Sequence, residues 1–333
     1  MRTIVLDQPG RLSIADTANP DSPLPGHALV KVLTVGLCGT DLHAFEGTQP
    51  FFSYPRILGH ELAVEVLAVG DGVVDLKPGD HCAVNPYLTC GNCRACLHGR
   101  TNCCPNLKVF GVHTDGGMRD RFVIPAQQLY LCTKLNPIEI ALVETLGVGA
   151  HAVGRAAPVA DDRAIVVGAG PIGLSVIEFL RVDGIDVGVI EKNPKRLDFC
   201  RQKHALGRAY PSHEEARKED ASTLVFDCTG DLESMNNAIH LLAHGGKLIF
   251  VGLNKGAFSI SDPELHRREA TILSSRNSTP PEHRRTVELM ESGRIDVKSW
   301  PAESVTPAQV ISHLPQWLDQ TTGIVKGIVD FTR

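Results

Sequence analysis

The sequence feature that most constrains the fold is a short apolar run that ends in a cluster of glycines. The run Ala164-Ile165-Val166-Val167 has the composition of a buried parallel strand, and an apolar helical segment begins near Leu174. Between them lies Gly168-Ala169-Gly170-Pro171-Ile172-Gly173. A GxGxxG pattern alone is a weak signal, but between a strand and a helix it is typical of a dinucleotide-binding turn. Its glycines permit a tight turn and close approach of a pyrophosphate to the helix N-terminus, so we predict cofactor contacts at Gly168, Gly170, Pro171, Ile172 and Gly173.

Strands and helices continue to alternate after this turn, which predicts a doubly wound parallel sheet with ligands at the carboxyl ends of its strands. The second strand ends at Glu191, whose carboxylate can accept hydrogen bonds from ribose hydroxyls and would repel a 2′-phosphate. This favours NAD over NADP. Basic residues such as Arg196 follow it and could accommodate a phosphate, so NADP stays open. Thr229 and Gly252 follow later strands and are expected at the cofactor, although both are also ordinary turn residues.

Length and composition narrow the class of protein. At 333 residues the chain is long enough for two domains. A formal charge of -5 and the lack of a basic run argue against nucleic acid as a partner. The sequence shows no secretory signal and no stretch of about 18 apolar residues, so we expect a cytoplasmic protein without membrane association. In such a chain, ten cysteines are better explained by metal binding than by disulfides.

One cluster of cysteines has metal-ligand spacing. Cys90, Cys93 and Cys96 are followed closely by Cys103 and Cys104. Four thiolates can close a tetrahedral shell around a structural zinc ion, which would hold a surface lobe together. Neighbouring CxxC units cannot all satisfy disulfide geometry, and the cytosol keeps thiols reduced. Spacing alone does not decide whether Cys103 or Cys104 is the fourth ligand.

A second group of possible ligands lies nearer the N-terminus. Cys38, His60 and Glu61 supply the thiolate, imidazole and carboxylate of a catalytic zinc site, which keeps one position open for water or substrate. Each residue alone is ordinary, since a single cysteine is usually a small buried hydrophobe. Thr40 and His43 are the hydroxyl and imidazole needed to move a proton from such a centre to solvent.

Glu144 is the odd member of an apolar helical pattern that runs from residue 137 to residue 157. A buried charge without a partner is costly, so we expect Glu144 to face water or a cation such as zinc. One thiolate and one carboxylate neutralise a zinc dication, whereas a further carboxylate leaves the site negative. We therefore expect water in the fourth position, with Glu144 nearby.

The remaining segments suggest how the domains are arranged along the chain. Short strand-like runs with Pro and Gly between them occur before residue 137 and predict a β-rich, barrel-like unit. Residues 324–331 look like a final strand that rejoins this unit. The nucleotide-binding unit would then be an insertion in the first domain.

Together these motifs resemble those of the zinc-dependent medium-chain alcohol dehydrogenases, over essentially the whole chain. The matching motifs, in order, are Cys38-Gly39-Thr40-Asp41-Leu42-His43, Gly59-His60-Glu61, the four-cysteine cluster, the glycine turn and Glu191. The resemblance implies a GroES-like catalytic domain of residues 1–148 and 279–333, with a structural-zinc lobe at about 86–108, and a Rossmann domain of residues 149–278. It also implies NAD, two zinc ions per chain, and a homo-oligomer that is a dimer or a tetramer.

The resemblance further implies roles for single residues. The direct ligands of the catalytic zinc would be Cys38, His60 and Glu61. Glu144 would be an alternative or water-bridged ligand, since polyol dehydrogenases have a glutamate at that place. The family pattern selects Cys104 as the fourth structural ligand, with Cys90, Cys93 and Cys96, and leaves Cys103 spare. Arg276 matches an arginine near the substrate in polyol dehydrogenases.

The activity that follows is reversible, NAD-dependent oxidation of a secondary alcohol in a polyol or sugar acid. Residues 49–56 and 275–277 look most like those of bacterial members that act on sugar acids such as L-galactonate. Thr40 would take the proton and pass it through the cofactor ribose to His43. Phe51, Phe52 and Tyr54 would line the pocket or pack. The alternatives are a dehydrogenase of threonine or of a simple alcohol, and a non-catalytic nucleotide-responsive protein.

Overall fold

The structure, a computed structural model, describes residues 1–50, 52–219 and 221–333, apart from the side chain of Gln320. The chain forms two compact units. The first comprises Met1–Glu144 and Thr279–Arg333, and the second comprises Thr145–Ser278. The first unit is therefore discontinuous in sequence, and the second is inserted into it.

The elements are named in chain order. The strands are β1 (Arg2–Gln8), β2 (Arg11–Asp16), β3 (His27–Leu37), β4 (Glu61–Val69), β5 (His81–Val84), β6 (Tyr87–Leu88), β7 (Lys108–Val109), β8 (Arg121–Pro125), β9 (Leu129–Leu131), β10 (Arg163–Val167), β11 (Asp186–Ile190), β12 (Ala209–Tyr210), β13 (Ser222–Asp227), β14 (Leu242–Phe250), β15 (Thr271–Ser274), β16 (Ala302–Val305) and β17 (Lys326–Asp330). The helices are α1 (Gly39–Phe45), α2 (Arg94–Leu97), α3 (Pro137–Ala141), α4 (Val143–Ala156), α5 (Pro171–Val182), α6 (Pro194–Lys203), α7 (His213–Ala216), α8 (Leu232–Asn237), α9 (Asp262–Arg268), α10 (Pro280–Glu291) and α11 (Val310–His313). Within the described ranges, none of these helices combines the length and apolar character that crossing a bilayer requires.

The first unit is built around β3. Its main sheet follows the order β16-β17-β3-β4-β5-β9, and β8 also pairs with β3. The last six residues of β3 are all buried, so this strand packs on both faces and supports the core of the unit. Since β17 pairs with β3 in antiparallel fashion, residues from the end of the chain lie beside the carboxyl end of β3.

The second unit contains a six-stranded sheet in the order β12-β11-β10-β13-β14-β15. Every neighbouring pair in it is parallel. The strand order reverses between β10 and β13, which is the place where ligands bind in open parallel sheets. Together with the β-rich first unit, this sheet confirms the fold class predicted from the sequence.

The helical pattern expected over residues 137–157 is divided in the structure. It forms α3 and α4, which are separated at Leu142. Asn136 accepts hydrogen bonds from the N–H groups of Ile138 and Glu139 and so begins α3. Glu144 lies in the first turn of α4, at the end of the first unit.

Candidate metal centres and active site

The structure brings Cys38, His60 and Glu61 together. One donor atom from each residue lies within 4.8 Å of the other two. Cys38 directly follows β3 and precedes α1, while His60 and Glu61 lie where β4 begins. Antiparallel pairing of β3 with β4 places Gly36 opposite Glu61 and thereby brings the three donors to one end of this strand pair.

Gly36 provides the space that the Glu61 side chain occupies. A Cβ atom at position 36 would lie 2.3 Å from Glu61 Oε2 and 3.1 Å from Glu61 Cβ. A side chain at position 36 would displace the Glu61 carboxylate, so a glycine on the neighbouring strand is needed for this carboxylate to lie beside Lys326 and near Cys38 and His60.

Lys326 is a residue of this centre that the sequence reasoning missed. Its Nζ donates to both carboxylate oxygens of Glu61, at 2.7 and 2.6 Å, and to the carbonyl of Leu37 at 3.2 Å. Both charged side chains are 1% exposed. Burial lowers the pKa of Lys326, but Glu61 and Cys38 raise it more, so the ammonium stays charged. A lysine inside the apolar run at 324–329 is a signal that could have pointed to a buried partner.

Asp41 holds the other two ligand candidates in place. Its carboxylate accepts hydrogen bonds from the N–H of Cys38 at 2.9 Å and of Gly59 at 3.4 Å, and lies 3.7 Å from Nδ1 of His60. A carboxylate beside one ring nitrogen orients a histidine so that the other nitrogen can bind a metal. Asp41 thus fixes the backbone of Cys38 and Gly59 by hydrogen bonds, while its contact with the His60 ring is electrostatic.

Glu144 is buried but does not belong to the three-residue cluster of the described chain. The hydroxyl of Tyr87 donates a hydrogen bond to Glu144 Oε1. Burial raises the pKa of Glu144, while the charge of His60 and the hydrogen bond from Tyr87 act in the opposite direction. Whether Glu144 binds zinc directly stays a prediction.

The charges at this centre fit a divalent cation. Lys326 balances Glu61, so a bound zinc dication would be neutralised by Cys38, which would bind it as a thiolate, together with the carboxylate of Glu144. Although burial lowers the pKa of His60, Asp41 and Cys38 raise it well above its usual value, so the surroundings favour positive charge here. From the sequence we expect Glu144, as a second carboxylate beside Glu61, to leave the centre negative. The positive charge of Lys326 compensates that extra carboxylate.

Thr40 and His43 lie on α1, directly after Cys38. Thr40 is partly buried. The His43 side chain is 62% exposed, and its Nδ1 is 3.4 Å from Glu46 Oε2 and 3.3 Å from Thr48 Oγ1. One turn of helix therefore connects the cysteine of the metal cluster with an imidazole that reaches solvent.

The four-cysteine group is also assembled. One sulfur from each of its members lies within 4.8 Å of the other three; the members are Cys90, Cys93, Cys96 and Cys104. Cys103 is exposed and lies outside this group. N–H groups of Asn92 and Cys93 lower the pKa of Cys90 to about 6, which favours the thiolate form that binds zinc. The donor set and its closed arrangement fit a structural zinc ion.

The glycine turn in the second unit lies between β10 and α5 as expected. Gly170 is the residue before α5, and no atom lies within 4 Å of the position that its Cβ would take. Gly173 packs directly against the backbone of Gly168 and leaves no room for a side chain, since a Cβ there would lie 1.7 Å from the carbonyl oxygen of Gly168. Gly170 thus leaves open space near the helix N-terminus, and Gly173 allows helix and strand to pack.

Glu191 is fixed beside this turn. Its two oxygens accept hydrogen bonds from the N–H of Ala169 and of Asn193, both at 2.7 Å. Arg196 lies in the first turn of α6. Burial lowers the pKa of Arg196, and the negative charge of Glu191 offsets part of this effect. A carboxylate held in this way at the end of β11 keeps free lone pairs for ribose hydroxyls.

The strand-end residues are organised by Asp227, which the sequence reasoning did not single out. Its carboxylate accepts from the N–H and hydroxyl of Thr229, at 3.0 and 2.7 Å, and from the hydroxyl of Ser234 at 2.5 Å. The N–H of Gly252 donates to the Asp227 carbonyl at 3.1 Å. Thr229 and Gly252 are therefore neighbours at the carboxyl edge of the sheet.

The expected substrate residues have mixed outcomes. Arg276 is exposed in the second unit, and its substrate role stays a prediction. Phe52 and Tyr54 pack against the core of the first unit with their ring centroids 4.9 Å apart, which supports packing as their role. Phe51 lies outside the described residues.

Comparison with known proteins relates the chain to dehydrogenases. The alcohol dehydrogenase GroES-like domain matches residues 24–135, and the zinc-binding dehydrogenase domain matches residues 171–292. The L-galactonate-5-dehydrogenase of Escherichia coli K12 is 38% identical, with 99% of both chains covered. The L-threonine 3-dehydrogenase of Pyrococcus horikoshii is 32% identical, with 78% of each chain covered.

A solved structure gives the same relation. The crystal structure of a short chain alcohol dehydrogenase from Escherichia coli CFT073, complexed with the cofactor NADH, superposes with a TM-score of 0.90 and 26% identity. It covers 99% of this chain and 99% of that chain. From the matching domains and the full-length relative, the chain belongs to the zinc-dependent medium-chain alcohol dehydrogenases, oxidoreductases that act on CH–OH groups with zinc and a nicotinamide dinucleotide.

Proposed function

We propose that this enzyme reversibly oxidises a secondary alcohol of a polyol or sugar acid, with NAD as the hydride acceptor. The observation that carries the chemistry is the cluster of Cys38, His60 and Glu61, a donor set that fits a zinc ion with an open position. The substrate class is supported by the 38% identity to an L-galactonate-5-dehydrogenase across 99% of the chain.

Each side chain of the centre has a proposed task. Cys38, His60 and Glu61 would hold zinc with Glu144 near His60, and the four-cysteine group would hold a second zinc in the lobe. When bound, the catalytic zinc supplies Lewis acidity that makes the substrate hydroxyl more acidic, and NAD accepts the hydride. Asp41 keeps His60 oriented, and Lys326 keeps Glu61 in place.

Thr40 and His43 provide the route for the proton. The Thr40 hydroxyl would accept the proton of the substrate alcohol and give its own proton to the cofactor ribose, and the ribose would pass a proton to the exposed imidazole of His43, which releases it to solvent. Thr40→Ala should lower kcat by about a hundredfold or more, the scale of a positioned proton transfer. Thr40→Ser, which keeps the hydroxyl, should recover most of this loss. Unchanged turnover in Thr40→Ala would exclude this route.

Zinc binding at the three-residue cluster is tested with two cysteine variants. Cys38→Ser should lose catalytic zinc and turnover while it retains NADH binding. Metal analysis measures the zinc content, and fluorescence titration measures NADH binding. Cys103→Ser is the matched control, because this exposed cysteine lies outside both clusters of the described chain. Substantial activity of Cys38→Ser without its zinc would refute the proposed centre.

The substrate proposal is tested by comparing kcat/KM for simple alcohols, uncharged polyols, aldonates and threonine. Highest efficiency with an aldonate supports the proposal. Highest efficiency with threonine would support the second candidate function, which the 32% identity to a threonine 3-dehydrogenase favours. NADH binding without turnover of any compound would favour a non-catalytic nucleotide-responsive protein.

Arg276 is proposed to bind the carboxylate of a sugar acid. Arg276→Met should then raise KM for an aldonate and leave KM for an uncharged polyol unchanged. Arg267→Met is the control, since Arg267 is an exposed arginine of the same unit that pairs with Glu264. An equal change for both substrates would contradict recognition of a carboxylate.

The preference for NAD is proposed from Glu191. Its carboxylate, held by two backbone N–H groups, would accept from ribose hydroxyls and repel a 2′-phosphate. Higher kcat/KM with NAD than with NADP is the expected result. A preference for NADP would instead assign Arg196 the role of phosphate ligand.

We also propose self-association as a dimer or tetramer. The outer strand β15 carries the exposed residues Thr271, Ile272 and Ser274, and an unpaired strand edge can pair with another chain. Light scattering of the purified enzyme measures its mass, and a monomer over the working concentration range would contradict this proposal.

A further inference from the structure

The hydrogen bond between Tyr87 and Glu144 links two parts of the first unit that lie 57 residues apart in sequence. Tyr87 is 7% exposed and Glu144 is 5% exposed, so the bond is shielded from water. A buried carboxylate that accepts a hydrogen bond is restricted to the direction of its donor. The Tyr87 hydroxyl is thus tied to Oε1 of a buried Glu144 carboxylate.

The backbone of Tyr87 is itself fixed. Its N–H donates to Asn85 Oδ1 at 3.0 Å, and its carbonyl accepts from Gln128 Nε2, also at 3.0 Å. The same amide of Gln128 donates to the Asn85 carbonyl at 2.9 Å. The Tyr87 ring packs edge-on against His283 with centroids 6.2 Å apart. These contacts fix both the backbone and the ring of Tyr87, so the position of its hydroxyl is fixed as well.

Tyr87 also belongs to the ribbon that joins the four-cysteine lobe to the rest of the unit. It lies on β6, three residues before Cys90. Its partner across the ribbon is Val109 on β7, the strand that follows Cys104. The chain thus enters and leaves the lobe through this short pair of strands.

We propose that Tyr87 is a positioning residue that holds Glu144 beside the catalytic zinc, and that the four-cysteine lobe fixes Tyr87 through the β6–β7 ribbon. The inference rests on the proposed function, because Glu144 matters only next to a metal at Cys38, His60 and Glu61. Held by Tyr87, Glu144 stays near the metal without entering the open position that the substrate hydroxyl requires. Without the hydroxyl of Tyr87, the carboxylate is drawn towards the dication and competes with substrate.

The test uses enzyme with Co²⁺ in the catalytic site and zinc retained in the lobe, since cobalt absorption bands report the number and type of ligands. Tyr87→Phe should retain NADH binding and cobalt content, shift and weaken the visible bands, and raise KM for the alcohol by about tenfold with kcat less affected. Tyr210→Phe, which removes a tyrosine hydroxyl in the second unit, should leave the spectrum and KM unchanged.

The role of the lobe is tested in the same assay. Cys96→Ser should change the cobalt bands in the same way as Tyr87→Phe. When the two substitutions are combined, the bands should change no further than in Tyr87→Phe alone. Gln128→Leu, which removes the amide that holds Tyr87, serves the same purpose if Cys96→Ser does not fold. Independent, additive changes would overturn the coupling between lobe and centre.

Parental cobalt bands and KM in Tyr87→Phe would overturn the positioning role. The cobalt spectrum does not depend on turnover. Failure of the parent enzyme to oxidise any alcohol would therefore count against the proposed function, while the spectrum still decides the role of Tyr87.

Discussion

Replacement of Lys326 by methionine tests whether the buried ion pair with Glu61 holds the metal cluster in place. Both side chains are 1% exposed, and Nζ donates to both carboxylate oxygens. Removal of one partner leaves a buried charge without compensation, which costs about 3–5 kcal/mol of unfolding free energy. The surface pair of Lys298 with Glu139, at 3.6 Å and with Lys298 68% exposed, provides the contrast. Lys298→Met should cost less than about 1 kcal/mol.

Urea unfolding of enzyme freed of its catalytic zinc, so that no dication compensates Glu61, measures both losses. The double variant Lys326→Met with Glu61→Gln should regain much of the stability lost in Lys326→Met, because both buried charges are then absent. The reasoning is refuted if Lys326→Met is no more destabilising than Lys298→Met. It is also refuted if the double variant loses the sum of the two single losses.

Three further predictions concern backbone space and acid stability. Gly36→Ala should weaken catalytic zinc binding, measured by competition with a chelator, because the new Cβ would lie 2.3 Å from Glu61 Oε2. Gly173→Ala should weaken NADH binding at least tenfold in fluorescence titration, since its Cβ would lie 1.7 Å from the Gly168 carbonyl oxygen and separate helix from strand. Burial lowers the pKa of His283 from 6.5 to about 4, so the unfolded chain binds more protons and stability falls as pH drops from 6.5 towards 4. Between about pH 7 and pH 5 the resulting loss of unfolding free energy is roughly 2 kcal/mol. His283→Phe should remove that share of the pH dependence in urea unfolding; an unchanged dependence would contradict it.

The parts of the molecule that could be predicted depend on residues close together in sequence. The strand, glycine turn and helix at 164–182 are continuous, so their alternation suffices to indicate a parallel sheet and the place of the cofactor turn. The four-cysteine group likewise needs only local spacing. Cys38 directly follows β3, and His60 and Glu61 lie where its antiparallel neighbour β4 begins, which explains why their proximity could be expected from one stretch of sequence.

Two of the residues that were missed, Lys326 and Tyr87, act through long-range contacts. Lys326 is 265 residues from Glu61, and only the antiparallel contact of β17 with β3 brings them together. Tyr87 was not singled out from the sequence, because nothing near it in sequence indicates that its hydroxyl reaches Glu144. The division of the helical pattern at Leu142 has no local signal either, since neither Pro nor Gly occurs there.

Pairing of β17 with β3 has a consequence for biosynthesis. Glu61 leaves the ribosome long before Lys326, and the whole inserted second unit is synthesised between them. During that interval the nascent chain carries a carboxylate whose ammonium counter-charge does not yet exist. The three candidate metal ligands therefore cannot reach their final electrostatic state during early translation, and we expect maturation of this centre to be one of the last steps in folding.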